Sequence, residues 1–211
     1  MVPTFGRLGG RRVVAAALLV ALVAGCEATA SVDPTPPTGT VRTGTGSTTA
    51  PPTTTGLGRS TPARIEIPRI GATSTLTSLG LNQDQTVEVP PIEQRMQAGW
   101  YSNGPTPGEV GPAVVLGHVD GQGKPGIFFR LRELRPGDKI LITRDDGRTL
   151  TFVVERVQQV AKAEFPSDEV YGDTSRPELR LITCGGSFDH SAKSYRDNTI
   201  IYAVLAGEGG S

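Results

Sequence analysis

Thiols, imidazoles and aromatic rings are all scarce in this 211-residue chain, which has two cysteines, two histidines and 5% aromatic residues. Two histidines and scattered acids give no recurring ligand spacing, so a zinc centre is not indicated and no cofactor is expected. A calcium site assembled from loop carboxylates would leave no such spacing, and none is indicated. Charge of one sign is also missing. The 21 basic and 21 acidic residues cancel, and the basic stretch Arg130-Leu131-Arg132 with Arg135 is broken by Glu133 and Asp138. That distribution argues against nucleic acid as a partner. There is no Cys-x-x-Cys pair, which removes the usual basis for a thiol redox protein.

The longest apolar run is Val13 to Ala24, preceded by Arg7, Arg11 and Arg12 and closed by Gly25-Cys26. It falls short of the ~20 residues that span a bilayer as a helix, and its basic flank gives it a signal-peptide pattern. Val23-Ala24-Gly25-Cys26 resembles a bacterial lipobox, in which the cysteine is lipidated and becomes the first residue of the exported protein. Residues 1–26 are therefore expected to be a leader or membrane anchor that delivers the chain to the extracytoplasmic face of a cell membrane. An uncleaved signal anchor and simple secretion remain the alternatives. Residues 27–60 are Thr, Pro, Gly, Ser and Ala with almost no large apolar side chains. Such a stretch cannot bury enough surface to offset its ordering entropy and reads as a flexible linker, stiffened locally by its prolines. Its Ser/Thr-Pro bias also permits O-glycosylation.

Residues 61–208 have the size of one ordinary domain, expected to act as a monomer. With Cys26 spent in the leader, Cys184 has no intrachain partner, so stability must come from the hydrophobic core alone. Arg64-Ile65-Glu66-Ile67 and Thr86-Val87-Glu88-Val89 alternate with period two and stop at prolines, as half-buried strands do. Ala113-Val114-Val115-Leu116 is continuous and apolar, as in a strand covered on both faces. Lys139 to Arg144 and Thr149 to Val157 flank Asp145-Asp146-Gly147, a hairpin signal. Leu179 to Thr183 and Thr199 to Leu205 supply two more strands. Helical periodicity is weak: Ile92 to Ala98 and Phe128 to Leu134 allow a turn or two each. An all-β barrel or sandwich follows.

Cys184 and His118 both fall at candidate strand ends beside glycine, in Leu181-Ile182-Thr183-Cys184-Gly185-Gly186 and Gly117-His118-Val119-Asp120. Strand-terminal groups of complementary chemistry can meet at one rim, where a thiol acquires a base. Arg196, just before the last strand, can reach the same rim. A thiolate attacks a carbonyl, an imidazolium protonates the leaving amine, and a guanidinium orients substrate or the developing oxyanion. Taken singly, each residue has a plainer role: a buried cysteine, a satisfied histidine, a solvated arginine.

The order of these pieces resembles the sortase family. Arg64 to Gly71 is similar to that family's opening strand, Gly117-His118-Val119-Asp120 to its histidine segment, Leu181-Ile182-Thr183-Cys184 to its Leu-x-Thr-Cys signature, and Arg196 to its arginine. Phe128 to Asp138 resembles the short helix and turn before the middle strands. The Thr-Cys-Gly-Gly string and the trailing Arg-Asp-Asn look most like class F. The resemblance implies a closed eight-stranded β-barrel with one or two short helices or 3-10 turns, and a cysteine transpeptidase. It implies Cys184 as nucleophile, His118 as general acid, Arg196 as the substrate and oxyanion stabiliser, and Thr183 beside the oxyanion. The substrate implied is a protein bearing a Leu-Pro-x-Thr-Gly sorting motif, held as a thioester and passed to an amine acceptor, a cell-wall precursor or a pilin lysine. The loop from Ala161 to Pro177 is where the family reads its motif, with Phe165, Pro166 and Tyr171 available to line an apolar groove. Sortases usually carry an N-terminal membrane helix, so the lipobox-like leader departs from the pattern.

Alternatives are narrower. His190 lies six residues after Cys184, in a polar string that reads as a surface loop. The Cys-before-His order of papain-like enzymes would leave only His190, and the Ser-x-Gly-Cys context of L,D-transpeptidases is absent. A non-catalytic surface lipoprotein with a buried structural cysteine is the reading from a different class.

Overall fold

The computed structural model describes residues 56–208. The leader, Cys26 and most of the linker lie outside the described residues. Eight strands close into a barrel in the order β1, β2, β3, β4, β9, β10, β8, β7. They are β1 (Pro62–Ile67), β2 (Ala72–Leu79), β3 (Ala98–Tyr101), β4 (Gly111–Gly117), β7 (Lys139–Arg144), β8 (Thr149–Ala161), β9 (Pro177–Asp189) and β10 (Ser194–Glu208). Two short strands, β5 (Asp120–Gly121) and β6 (Lys124–Pro125), make a separate hairpin just after β4. The β2–β3 and β4–β9 neighbours are parallel, and the other barrel pairings are antiparallel. The all-β class and the eight-stranded closure agree with the sequence reading.

Period-two alternation decides which side chains fill the barrel. Ile65, Ile67, Ala113, Val115, Ile140, Ile142, Leu150, Phe152, Leu179, Leu181 and Ile201 join one interior cluster, capped by Phe128 and Leu131. The opposite faces of β4, β9 and β10 carry Val114, Leu116, Ile182, Ile200 and Tyr202, a second cluster on the outside. It is covered by Val170 of a short helix, α1 (Ser167–Tyr171), the one α-helix among the described residues, with Phe165 packed against it. That cover explains why β4 is buried along its whole length and reads as an unbroken apolar run.

Two barrel strands, and the short β5 and β6, carry no strand signature in the sequence, and one expected strand does not form. β2 is built of Thr and Ser, with Ser74 buried and its hydroxyl accepting from Ala98 N–H at 3.0 Å, so it lacks an apolar signature. β3 is four residues long and contains Gly99, where a Cβ would come within 2.5 Å of Leu79. Thr86 to Val89 is no strand: a tight turn pairs Asn82 with Thr86, and a single bridge, Leu81 to Val87, is all that forms. The helical turns expected over Ile92 to Ala98 and Phe128 to Leu134 shorten to 3-10 turns at Ile92–Gln94 and Leu131–Glu133.

Residues 57–60 strap the start of the domain to the barrel end that holds Gly111, the N-terminal end of β4. Leu57 N–H donates to Gly108 O at 2.7 Å. Arg144, 3% exposed, donates to Pro107 O and Gly58 O, both at 2.7 Å, and pairs with Asp146 at 2.9 Å.

Candidate active site

Cys184 lies on the outer face of β9, because the buried residues before it, Leu181 and Thr183, point into the barrel and Ile182 points out. Its thiol is free and half-buried. Directly opposite on β10 is Asn198. The two glycines that follow are steric requirements. A Cβ on Gly185 would sit 2.7 Å from Thr199 Oγ1, and Gly186 has φ +71° with the Asp197 carboxylate where its Cβ would be.

His118 leaves the end of β4, whose parallel pairing with β9 stops at Leu116–Ile182, so it emerges beside Cys184. Cys184 itself is not at a strand end as the sequence suggested, because β9 runs on to Asp189 paired with β10. One cavity of about 450 Å³ is lined by both His118 and Cys184, with Asp120, Ile92, Phe188, Lys193 and Tyr195 around them. His118 Nε2 lies 2.6 Å from the Pro90 carbonyl. A carbonyl only accepts, so Nε2 carries the proton and Nδ1 is the nitrogen left free in the neutral ring. A second cavity of about 330 Å³ also reaches Cys184, and Thr183, Gly185, Gly186, Arg132 and Gln159 help to line it. Thr183 Oγ1 is buried there without a hydrogen-bond partner among the described residues.

Arg196 stands apart from both cavities. It lies inside β10 rather than before it, where the β9–β10 register shifts between Tyr195 and Asp197. Its side chain is 67% exposed, and Nη2 donates to Asp189 at 3.1 Å. Asp189 also accepts from Ser191 Oγ and from the backbone N–H groups of Ser191 and Ala192, which together with Arg196 hold its carboxyl below the ordinary aspartate range. One donor is engaged, which leaves most of the guanidinium fork open to a ligand.

Phe165 and Tyr171 are 6.1 Å apart by ring centroid, and Tyr171 packs edge-on against Tyr101 at the same separation. Tyr171 lines a cavity of about 410 Å³ with Tyr101, Leu81, Val87 and Val114. Burial, then the neighbouring Tyr101, raises its pKa. Neither ring borders the Cys184 cavities; the outer-face side chains Val114, Leu116 and Ile182 lie on the strands between. His190 is exposed and packs against Phe188, at 5.1 Å between centroids, outside both cavities.

Sequence reasoning overlooked two residues at the rim. Tyr195 borders both cavities, and its hydroxyl donates to Asp120, 75 residues away in the chain. That bond, with burial and the Asp120 charge behind it, pushes the Tyr195 pKa up to about 12. Asp120 two residues after the histidine and Tyr195 just before Arg196 were visible as polar neighbours, but only the fold brings them together. Among the described residues no three His, Cys, Asp or Glu side chains cluster as a metal site, and no helix is long and apolar enough to cross a membrane.

The family model described as "Sortase domain" matches residues 65–206. Among solved structures, the chain is similar to a sortase D5 transpeptidase from Clostridium perfringens, with 20% identity and a TM-score of 0.51 over 68% of this chain and 78% of that one. It is similar to sortase A from Corynebacterium diphtheriae, with 21% identity and a TM-score of 0.54 over 71% of this chain and 62% of that one. A third similarity is to sortase C-1 from Actinomyces oris, with 19% identity and a TM-score of 0.54 over 68% and 73% of the two chains. No curated protein matches the chain.

Proposed function

This chain is a member of the sortase family of cysteine transpeptidases, and on that premise we propose that Cys184, His118 and Arg196 cleave a protein at a C-terminal sorting motif and pass it to an amine. The Cys184 thiolate attacks the carbonyl of the threonine in a Leu-Pro-x-Thr-Gly-type motif. The C–N bond to glycine breaks as the His118 imidazolium gives its proton to the departing amine, leaving a thioester. An amino group, from a peptidoglycan precursor or a pilin lysine, then attacks that thioester and regenerates the thiol. Arg196 contributes positive charge to the substrate carbonyl, with Thr183 next to the oxyanion site. Phe165 and Tyr171 recognise apolar parts of the motif farther along the outer face.

The observation that carries this reading is the cavity bordered by both His118 and Cys184, beside the point where the parallel pairing of β4 with β9 stops. The open donors of Arg196 support its role, since a turn of a side chain that is 67% exposed is inexpensive. The Thr183-Cys184-Gly185-Gly186 string favours class F. The enzyme works at the Gram-positive-type cell envelope as a monomer, its domain at residues 61–208 joined by the 27–60 linker, whose last residues 57–60 are strapped to the barrel, to a lipidated Cys26 or a retained leader. A non-catalytic lipoprotein is less well supported, because Cys184 is half-buried and opens to two cavities.

Incubating the soluble domain with sorting peptides and candidate amines, with intact-mass measurement, tests the proposal. Wild type should gain an acyl adduct on Cys184 and release the glycine-side fragment, and Cys184→Ala should do neither. Cleavage that persists in Cys184→Ala would overturn it.

A further inference from the structure

The segment that carries His118 is fastened at three points. The His118 carbonyl accepts from Phe128 N–H at 3.0 Å, the ring donates to Pro90 O, and Asp120 accepts from Tyr195. The first two ties run to the loop after β6 and to the loop before β3. Only the third reaches β10, the strand paired with Cys184's own strand, and it is the single side-chain hydrogen bond between residues 118–126 and the β9–β10 hairpin among the described residues.

Its two ends sit on stiff supports. Asp120 opens the β5–β6 hairpin, which turns through Gln122 at φ +52° and Gly123 at φ +70°, a tight connection with little slack. Gly126 closes that hairpin so near the His118 carbonyl that no side chain would fit there. Tyr195 is held edge-on by Phe188, at 5.2 Å between ring centroids. With Val119 and Cys184 it is one of three residues that border both cavities at the thiol.

We propose that Tyr195 and Asp120 are a positioning pair whose hydrogen bond sets the separation and alignment of His118 and Cys184. The proposal rests on the assignment of those two residues as general acid and nucleophile. Neither partner needs to touch the substrate. A tie of this kind works through geometry: proton transfer to a leaving amine depends steeply on distance, and a displacement near 1 Å can cost about 100-fold in rate.

The test is a set of variants assayed for acylation by a sorting peptide, with kcat and KM separated and melting temperature recorded alongside. Tyr195→Phe keeps the ring and its contact with Phe188 but loses the donor, and should lower the acylation kcat by about 10- to 100-fold with little change in KM. Asp120→Ala should match it. The double variant should be no slower than either single one, because both remove the same bond. Asp120→Asn, which still offers an oxygen to the Tyr195 hydroxyl, should recover most of the rate that Asp120→Ala loses. A Tyr195→Phe enzyme as fast as wild type, or single losses that multiply in the double variant, would overturn the pairing. A uniform fall in melting temperature with unchanged kcat would do the same by showing a purely structural bond. If wild type itself forms no adduct on Cys184, the underlying functional reading fails instead, and the two failures stay distinct.

Discussion

The two ends of β4 are held in opposite ways. At the Gly111 end most polar groups are paired several times over: the two terminal nitrogens of Arg144 serve three partners although its buried Nε has none among the described residues, Glu109 Oε2 takes hydrogen bonds from Thr106 N–H, Thr106 Oγ1 and Arg59, and Trp100 Nε1 donates to Pro105 O at 3.0 Å. At the Gly117 end the side chains that matter have one tie each or none. His118 has Pro90, Arg196 has Asp189, and Thr183 Oγ1 has no partner among the described residues. Polar groups left open cost stability, so the barrel concentrates its securing bonds where no substrate has to be met. The chemistry proposed above falls at the end with fewer securing bonds.

Substitutions at the two ends should separate activity from stability. The largest effect is expected at the rim: His118→Ala should lower peptide cleavage at least about 10³-fold while leaving the urea midpoint nearly unchanged. Loss of folding in that variant would show that the rim is structural after all. At the other end the pattern should reverse. Arg144→Ala strands three acceptors that share a buried guanidinium and should cost about 2–4 kcal/mol in urea unfolding, with full cleavage by the folded fraction. A stable Arg144→Ala protein, or one that is folded and inactive, would dissolve the contrast. The smallest effect sharpens it from within the rim. Asp189 has its carboxyl lowered by Ser191, Ala192 and Arg196, so it contributes stability above the ordinary aspartate pKa, and that contribution is lost as pH falls through its own. Asp189→Asn should therefore flatten the acid limb of a melting-temperature profile below about pH 4, with little change at neutral pH. An unchanged acid limb would mean that the turn does not depend on the charge.

What could be read in the sequence was whatever is local. The unbroken apolar run of β4, the β7–β8 hairpin with its Gly147 turn and the strand leading to Cys184 all declare themselves within ten or so residues, and the structure has them. β2 did not, since its inward Ser74 is satisfied by the backbone of a strand 24 residues away rather than by apolar packing. β3 did not, because four residues with a glycine carry no period. Val87 and Val89 misled for the opposite reason: their alternation is real, but Pro90-Pro91 and the Asn82 turn leave no partner strand to pair with. The meeting of His118 with Cys184 was legible through motif order alone. Asp120 with Tyr195 was not, because a hydrogen bond across 75 residues leaves no trace in either neighbourhood.

The strap at residues 57–60 has a mechanical consequence. Any pull exerted through the chain before Gly56 enters the molecule at the Gly108 end, through Leu57 and the Gly58 carbonyl. A polypeptide held covalently at Cys184 would pull from the opposite end, about 20 Å away along the length of β4. The load would then run lengthwise along the barrel from β1 to β9, across strand pairings that include β4 and β9, matched at six positions from Gly111–Pro177 to Leu116–Ile182. Hydrogen bonds stressed in that direction must slip together rather than open one after another. A barrel paired in this way could therefore bear tension applied lengthwise between its two ends.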